Sequence, residues 1–263
     1  MPPPLDQIFP PCPGFTEKDA SDQDGRVFLV TGSTSGIGLE LAKMLYGLNG
    51  TVYVAGRSVQ KLNAAIETIK SQVQTRNGRI EALQIDLADL SSIGESARNF
   101  LSREDRLDVL VHNAGLMTPP SGSKTSLGHD LEMGTNCLGP FLLNHYLEPT
   151  LRRTAAQEHN ALGVRIVWVS SLIAASVPRG GITMNDDGSP KAIKGLMFKE
   201  AKYGAYTELF ATLSPEITSK KASPFIIPWG RFGQIPDHIQ QSIDNGKAAS
   251  FYQWCDRETK AYQ

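Results

Sequence analysis

Short, continuous apolar runs alternate with longer segments of three-to-four-residue apolar spacing between Arg26 and Ser171. A continuous apolar run is typical of a parallel strand that is buried on both faces. Apolar residues that recur every three or four positions are typical of an amphipathic helix. The pattern therefore predicts five strands, which are Val27–Val30, Thr51–Gly56, Ile80–Gln84, Val109–His112 and Arg165–Val169.

The segments between these strands predict the connecting helices. Their apolar spacing covers Ile37–Leu48, Leu62–Val73, Leu90–Leu101 and a longer stretch of about Leu127–Arg153. A repeated strand–helix order produces a parallel sheet with right-handed crossover connections. We therefore predict an α/β fold, a doubly wound parallel sheet in a single domain.

The chain becomes less regular after Ser171. Residues 180–195 are polar and rich in turn formers, which predicts an exposed loop or insertion. A helix over Lys199–Leu213, a short apolar strand over Phe225–Gly230 and a polar helical tail over Ile235–Gln263 are predicted next. The expected organisation is a flexible, proline-rich arm (1–25) followed by one domain, with a regular part (26–171) and an irregular C-terminal part (172–263).

Composition and charge exclude several classes of protein. Hydrophobic residues make up 40% of the chain, enough for a substantial core, and the formal net charge of −1 favours neither nucleic acid nor a membrane as a partner. Three scattered cysteines predict neither a disulfide framework nor a metal site. The N-terminus lacks the pattern of a signal peptide, and no apolar run approaches the ~20 residues that span a bilayer. We therefore expect a cytoplasmic protein.

A glycine-rich turn joins the first predicted strand to the first helix in the sequence "VTGSTSGIGLELAKML". Gly32 has no Cβ and can take the positive φ of a tight turn, whereas Gly36 and Gly38 allow a pyrophosphate and a neighbouring strand to approach the backbone. The helix N-terminus offers free N–H groups and a partial positive charge to that phosphate. We expect a dinucleotide at this turn, at Gly32, Ser35, Gly36, Ile37 and Gly38, so residues 26–171 form the nucleotide-binding part.

The end of the second strand indicates which dinucleotide is bound. An acidic residue at this place holds the ribose 2′-hydroxyl of NAD, whereas an arginine accommodates the 2′-phosphate of NADP. This chain has Gly56 at that position, then Arg57, and Lys61 one helical turn later. We predict NADP(H) as the cofactor, with a solvated surface arginine as the alternative interpretation of Arg57.

Six motifs, "TGSTSGIG", "AGRS", "IDLADL", "HNAG", "TNCLGPFLL" and "IVWVSS", follow one another over Arg26–Ser171. Together they resemble the short-chain dehydrogenase/reductase family. The proline-rich arm and the "IIPWGRFG" segment are similar to fungal members, many of which serve secondary-metabolite pathways. The resemblance implies an NADP(H)-dependent enzyme that interconverts a ketone and a secondary alcohol.

The resemblance also implies roles for residues on the adenosine side. Asp86, which ends the third strand, would approach the adenine. An acid before a helix can also be a helix cap, and both roles can hold together. Asn113, Ala114 and Gly115 would line the adenosine side and stabilise the sheet, and an ordinary turn after a strand is the alternative.

On the catalytic side, Asn136 resembles the family's active-site asparagine, which kinks its helix and holds a water for proton relay. A buried asparagine that packs its amide is the alternative. Ser171 matches the serine that donates a hydrogen bond to the substrate carbonyl, and it is preferred over the adjacent Ser170.

The family's chemistry also requires a Tyr-x-x-x-Lys helix, in which the lysine lowers the pKa of the phenol so that it exchanges a proton near neutral pH. This chain contains no such pair; the nearest candidate has Tyr203 followed by Thr207. Either Tyr203 is a degenerate catalytic tyrosine after an inserted loop, or the catalytic helix and the sixth strand are missing. We favour a missing segment of some tens of residues, since no strand that ends in Pro-Gly follows. Such a loss also makes dimerisation doubtful.

Two hypotheses for function remain. The first is an NADP(H)-dependent oxidoreductase of ketones and secondary alcohols, in which Ser171, Asn136 and, doubtfully, Tyr203 act on the substrate. The second is a nucleotide-binding homologue with impaired or absent catalysis, either a pseudoenzyme or a truncated product. If the helix is missing, the phenol of a lone tyrosine, with a pKa of about 10, is a poor base at neutral pH.

Overall fold

A computed structural model describes residues 5–157, 163–171, 201–218 and 223–263 of the 263-residue chain. The predicted loop over 180–195, and the first two residues of the helix predicted from Lys199, lie outside the described residues. None of the described helices is long and apolar enough to cross a membrane.

The central sheet has five parallel strands in the order β3-β2-β1-β4-β5. The strands are β1 (Val27–Thr31), β2 (Thr51–Gly56), β3 (Arg79–Gln84), β4 (Val109–His112) and β5 (Arg165–Trp168). All residues of β1 and β4 are buried, as their continuous apolar runs predict. The strand order reverses between β1 and β4, and this confirms the predicted doubly wound parallel sheet.

The described residues form nine α-helices. They are α1 (Leu5–Ile8), α2 (Gly36–Gly47), α3 (Val59–Gln72), α4 (Leu90–Leu101), α5 (Leu131–Met133), α6 (Gly139–Gln157), α7 (Ala201–Leu213), α8 (Asp237–Asp244) and α9 (Lys247–Thr259). One hydrophobic core joins the sheet to α2, α3 and α7, and a second joins its other face to α4, α6 and α9. The fold therefore has three layers.

The predicted long helix begins later than expected and is interrupted. Asp130 caps α5 by accepting a hydrogen bond from the backbone N–H of Met133, and a π-helical turn over Gly134–Leu138 separates α5 from α6. The helix then continues through Pro149 to Gln157, four residues beyond the predicted end. A π-helical turn inserts one residue into the helical repeat, which apolar spacing alone does not reveal.

The short strand predicted over Phe225–Gly230 does not extend the central sheet. Its residues Ile226–Ile227 form β6, which pairs in antiparallel orientation with β7 (Arg231–Phe232) in a separate hairpin. Among the described residues no strand pairs with the outer edge of β5, where Ile166 and Trp168 are 39% and 53% exposed. Within that part of the chain the sheet has no sixth strand.

The arm predicted as flexible lies against the domain from residue 5 onward. Phe15 is buried, with 7% of its surface exposed, and contacts the edge of the Phe210 ring on α7. The backbone N–H of Gln23 donates a hydrogen bond to the carbonyl of Leu48. A single buried aromatic residue among prolines and charges supplies this docking, and such an isolated residue has no periodic signal.

Candidate dinucleotide-binding site

The turn after β1 is a compact, glycine-dependent loop. Gly32 has φ +66°, and a Cβ at this position would lie 2.7 Å from the Cα of Ala114. Gly36 also has a positive φ, +60°. The N–H of Gly32 donates to the carbonyl of Ala55, and the Ser33 hydroxyl donates to the carbonyl of Val30. Glycine is therefore required here by conformation as well as by space.

The N-terminus of α2 opens from this turn. Ser35 is the N-cap residue, but its side chain makes no capping hydrogen bond, so it does not satisfy the first N–H groups of α2. A Cβ at Gly38 would collide with the side chain of Asn113 and would lie 3.0 Å from the carbonyl oxygen of Gly32. Ile37, between the two helix glycines, is 36% exposed. The uncapped helix end fits an anion such as a pyrophosphate.

The positively charged residues after β2, Arg57 and Lys61, are exposed. Neither Arg57 nor Lys61 has an ion-pair partner among the described residues. The hydroxyl of Ser58 caps α3 by accepting a hydrogen bond from the N–H of Lys61, and this fixes the backbone between the two cations. The pair can accept a phosphate without breaking a salt bridge.

The strand end after β4 is tied to the strand end after β1 through one hydroxyl. Thr31 donates to the carbonyl of Val111 and accepts hydrogen bonds from the backbone N–H groups of Asn113 and Ala114. The side-chain amide of Asn113 donates to the carbonyl of Thr31 over 2.8 Å. Gly115 comes next in the chain, and a Cβ at this position would lie 3.5 Å from the Oδ1 of Asn136. These contacts bring the predicted residues together where the strand order reverses.

Thr31 and Ser33 were missed as organising residues in the sequence. Their signal was present, since both are hydroxyl residues at the strand-to-turn junction, where side chains satisfy unpaired backbone groups. Ser33 also accepts a hydrogen bond from the N–H of Ala55, which joins the turn to β2.

Asp86 lies just after β3, half-buried, and accepts a hydrogen bond from the N–H of Ala88. The residue that caps α4 is Asp89, which accepts from the N–H of Ser91. The alternative in which Asp86 caps the helix is therefore wrong. Its predicted approach to an adenine stays a prediction.

Asn136 lies in the π-helical turn, where its side chain holds the loop that follows β4. Its Oδ1 accepts a hydrogen bond from the N–H of Leu116 over 2.9 Å, and its Nδ2 donates to the carbonyl of the same residue over 2.8 Å. The residue is exposed rather than buried. The expected irregularity of this helix is present, and one acceptor and one donor of the amide are used by the Leu116 backbone.

Ser170 and Ser171 are both exposed and follow β5 after one intervening residue, Val169. The N–H of Val169 donates to the carbonyl of His112, so the serines leave the same edge of the sheet as Asn113. His112 itself is buried and stacks on Trp168 at 4.1 Å, and burial lowers its pKa to about 3. It is a neutral packing residue.

Tyr203 lies on α7, on the wrong side of the sheet for the predicted catalytic helix. A right-handed crossover from β5 to a strand beyond it would place its helix on the face of α4 and α6, because the connections from β3 to β4 and from β4 to β5 run there. Helix α7 instead packs on the α2 face. The Tyr203 ring is 38% exposed and lies 4.8 Å from the Trp229 ring. The structure does not bring Tyr203 together with Ser171 or Asn136 in any described contact.

Comparisons with known proteins agree with this architecture. The profile described as short chain dehydrogenase matches residues 26–184. A short-chain dehydrogenase/reductase from Phomopsis amygdali is 36% identical over 321 aligned positions, which cover 97% of this chain and 96% of the relative. This chain belongs to the short-chain dehydrogenase/reductase family. The short-chain dehydrogenase/reductase pkfC from Emericella nidulans is 35% identical over 307 aligned positions, covering 95% of this chain and 97% of the relative.

Among solved structures, the chain is similar to a Pseudomonas aeruginosa RhlG/NADP active-site complex, with a TM-score of 0.48 and 25% identity over 74% of this chain and 68% of the other.

The described residues contain no group of three or more potential metal ligands.

The alignment with the Phomopsis relative also bears on the missing segment. It extends over 321 positions, 58 more than the 263 residues of this chain, so at least 58 positions of the relative have no counterpart here. The dehydrogenase/reductase relative therefore carries residues within the aligned span that this family member lacks. This difference has the size of the predicted loss of a helix and a strand.

Proposed function

We propose that this family member binds NADP(H) at the β1–α2 turn and belongs, by biochemical class, with the oxidoreductases of ketones and secondary alcohols. The observation that carries the proposal is the combination of an uncapped, glycine-lined helix end with two cations after the neighbouring strand that have no ion-pair partner among the described residues. The helix end suits the pyrophosphate, and Arg57 with Lys61 suits a 2′-phosphate.

Gly56 strengthens the preference for a phosphate over a hydroxyl at this place. It supplies no carboxylate for a ribose 2′-hydroxyl, and a Cβ there would lie 3.1 Å from the Cγ2 of Thr34, so a larger residue requires adjustment. When bound, the cofactor would carry the hydride, and this chain would supply binding and orientation. Arg57 would hold the adenosine phosphate, and Thr31 and Asn113 would keep the two strand ends in register.

A titration with NADPH and NADH tests this assignment. We expect the wild-type chain to bind NADPH about tenfold or more tightly than NADH, and Arg57→Ala to remove most of that preference, since one charge-assisted contact is worth about 1.5–3 kcal/mol. Arg152→Ala is the matched control, because Arg152 is an exposed arginine whose described partner is Glu148 on the same helix. Equal affinities for the two nucleotides in the wild-type chain would contradict the assignment.

A second candidate function is nucleotide binding with little or no turnover. The position of α7 on the α2 face and the absence of a Tyr-x-x-x-Lys sequence favour it, because both remove the predicted proton donor. Without such a donor, Ser171 can polarise a carbonyl but cannot supply the proton that the alcohol oxygen requires.

NADPH consumption with a panel of ketones separates the two candidates. Under the second candidate, the wild-type chain and Tyr203→Phe consume NADPH at the same background rate. If the wild-type chain turned over a ketone and Tyr203→Phe abolished that turnover, Tyr203 would be the proton donor and the second candidate would be rejected. A role in fungal secondary metabolism, cytoplasmic location and doubtful dimerisation stay predictions.

A further inference from the structure

Helix α7 is attached to the domain by an unusual set of contacts. In the described residues it is followed by the β6–β7 hairpin, which pairs with itself, so α7 is not fixed between two strands of the central sheet. Its C-terminal end is held by Arg165, which donates to the carbonyls of Ala211 and Ser214. In the described residues its N-terminal end is held by packing on α2 and by an ion pair of Lys202.

That N-terminal end lies directly on the start of α2. A Cβ at Gly204 would be 2.6 Å from the Cδ1 of Ile37, so the two helices approach through a glycine. Ile37 lies between Gly36 and Gly38 in the turn assigned to the pyrophosphate. A displacement of α7 would therefore remove the side support of this turn.

Residues 5–25, here called the N-terminal strap, contact α7 through Phe15 and Glu17. Phe15 packs its ring against the edge of Phe210 at 5.9 Å between centroids. Glu17 pairs with Lys202 at the first turn of α7, with 3.6 Å between oxygen and nitrogen. Asp6 pairs with Arg231 of the hairpin at 3.0 Å. The strap thus contacts both α7 and the hairpin that follows it.

The other end of the strap is fixed to the nucleotide-binding part. Asp22 accepts a hydrogen bond from the side chain of Asn49 at 3.0 Å and pairs with Arg76 at 2.6 Å. Gln23 donates through its backbone to Leu48 over 2.7 Å, at the end of α2. Because the strap is held at the α2–β2 turn and on α7, it spans the junction between the two helices.

We propose that the N-terminal strap positions α7 on α2 and thereby keeps the pyrophosphate turn in its binding geometry. Phe15 is the main positioning residue, because its large apolar side chain is buried in the core shared by α2, α3 and α7. The consequence for cofactor affinity rests on the proposed function, whereas the positioning of α7 does not.

Hydrogen exchange and NADPH titration of the full-length chain test the strap. In Phe15→Ala we expect the amides of α7 to exchange about tenfold or more faster, with β1–β3 unchanged, since α7 opens as a local unit. We expect the NADPH dissociation constant to rise about three- to tenfold, because the population with a formed turn falls. Phe15→Leu, which keeps apolar volume, should recover most of both effects.

The matched control is Tyr252→Ala, which truncates an exposed aromatic residue that contacts Phe141 on the opposite face of the sheet. It should leave α7 exchange and NADPH affinity unchanged. If hydrogen exchange of α7 were unchanged in Phe15→Ala, or accelerated equally in α7 and throughout the sheet, the proposed positioning of α7 by the strap would be contradicted. Faster α7 exchange with unaltered affinity would overturn its coupling to the cofactor. A wild-type chain that binds no NADPH would reject the proposed function, and α7 exchange would still decide the positioning role.

Discussion

Glu208 is a buried carboxyl group on α7 whose replacement tests how this helix packs. It lies on the buried face with Ala205 and Leu209 and is 4% exposed. Neither of its oxygens has a hydrogen-bond partner among the described residues. Burial raises its pKa from 4.5 to about 8, because the charged form is poorly solvated there.

This pKa makes folding stability depend on pH with a definite sign. The unfolded chain releases the Glu208 proton above about pH 4.5, whereas the folded chain keeps it up to about pH 8. The free energy of unfolding therefore falls as the pH rises through this window and levels off above it. The pKa difference corresponds to at most about 5 kcal/mol at about 1.4 kcal/mol per pKa unit. We expect a measured loss of roughly 2–4 kcal/mol, because partial hydration relieves part of the penalty.

The perturbation is Glu208→Gln, which keeps the shape and cannot ionise. Urea unfolding of both chains would be followed at about pH 5 and about pH 8.5. We expect the variant to gain stability relative to the wild type as the pH rises, by roughly 2–4 kcal/mol across the window. The unpaired amide adds a cost that is constant with pH and cancels from this difference. A difference between the two chains that stays constant with pH would refute the reasoning.

Two other substitutions test the turn and the loop beside it. Gly32→Ala should lower the unfolding temperature by several degrees and abolish detectable NADPH binding in a thermal-shift titration, because φ is +66° and the Ala114 Cα lies 2.7 Å from the new Cβ. If NADPH raised the unfolding temperature of the variant as much as that of the wild type, this prediction would be contradicted. Asn136→Ala should lower the free energy of unfolding in urea by about 1–3 kcal/mol and speed hydrogen exchange of the Leu116 amide, since the N–H and the carbonyl of Leu116 both lose their hydrogen bond to the side chain. An unchanged Leu116 exchange rate would contradict this prediction.

The sheet was predictable because its central strands β1 and β4 are buried on both faces. Phe28 and Val111 are fully buried, and such strands produce continuous apolar runs that stand out from helical spacing. The glycine turn was predictable because Gly32 and Gly36 occupy backbone conformations that other residues rarely adopt. The predicted parallel sheet is confirmed, and the glycine turn lies where the strand order reverses, in contact with Asn113 and Ala114.

The face occupied by α7 could not be predicted from its own residues. Apolar spacing reveals that Ala205 and Leu209 are buried, but it does not reveal which side of the sheet buries them. The right-handed connection rule predicts the face for a helix that joins neighbouring parallel strands. It does not apply to α7, because the sequence of residues 172–200 shows no regular strand–helix alternation before this helix. The docking of Phe15 was missed for a related reason, since one aromatic residue has no period. The interruption at Asn136 depends on backbone geometry that side-chain hydrophobicity does not encode.

The adenosine half of the proposed NADP site is expected to bind its ligand independently of the catalytic half in this family member. The most direct measurement is a calorimetric titration with adenosine 2′,5′-bisphosphate, compared with AMP, for the wild-type chain and Arg57→Ala. The account predicts that the bisphosphate binds the wild-type chain about tenfold or more tightly than AMP, and that Arg57→Ala removes this preference. Equal binding of the two nucleotides, or a preference that survives in Arg57→Ala, would contradict it.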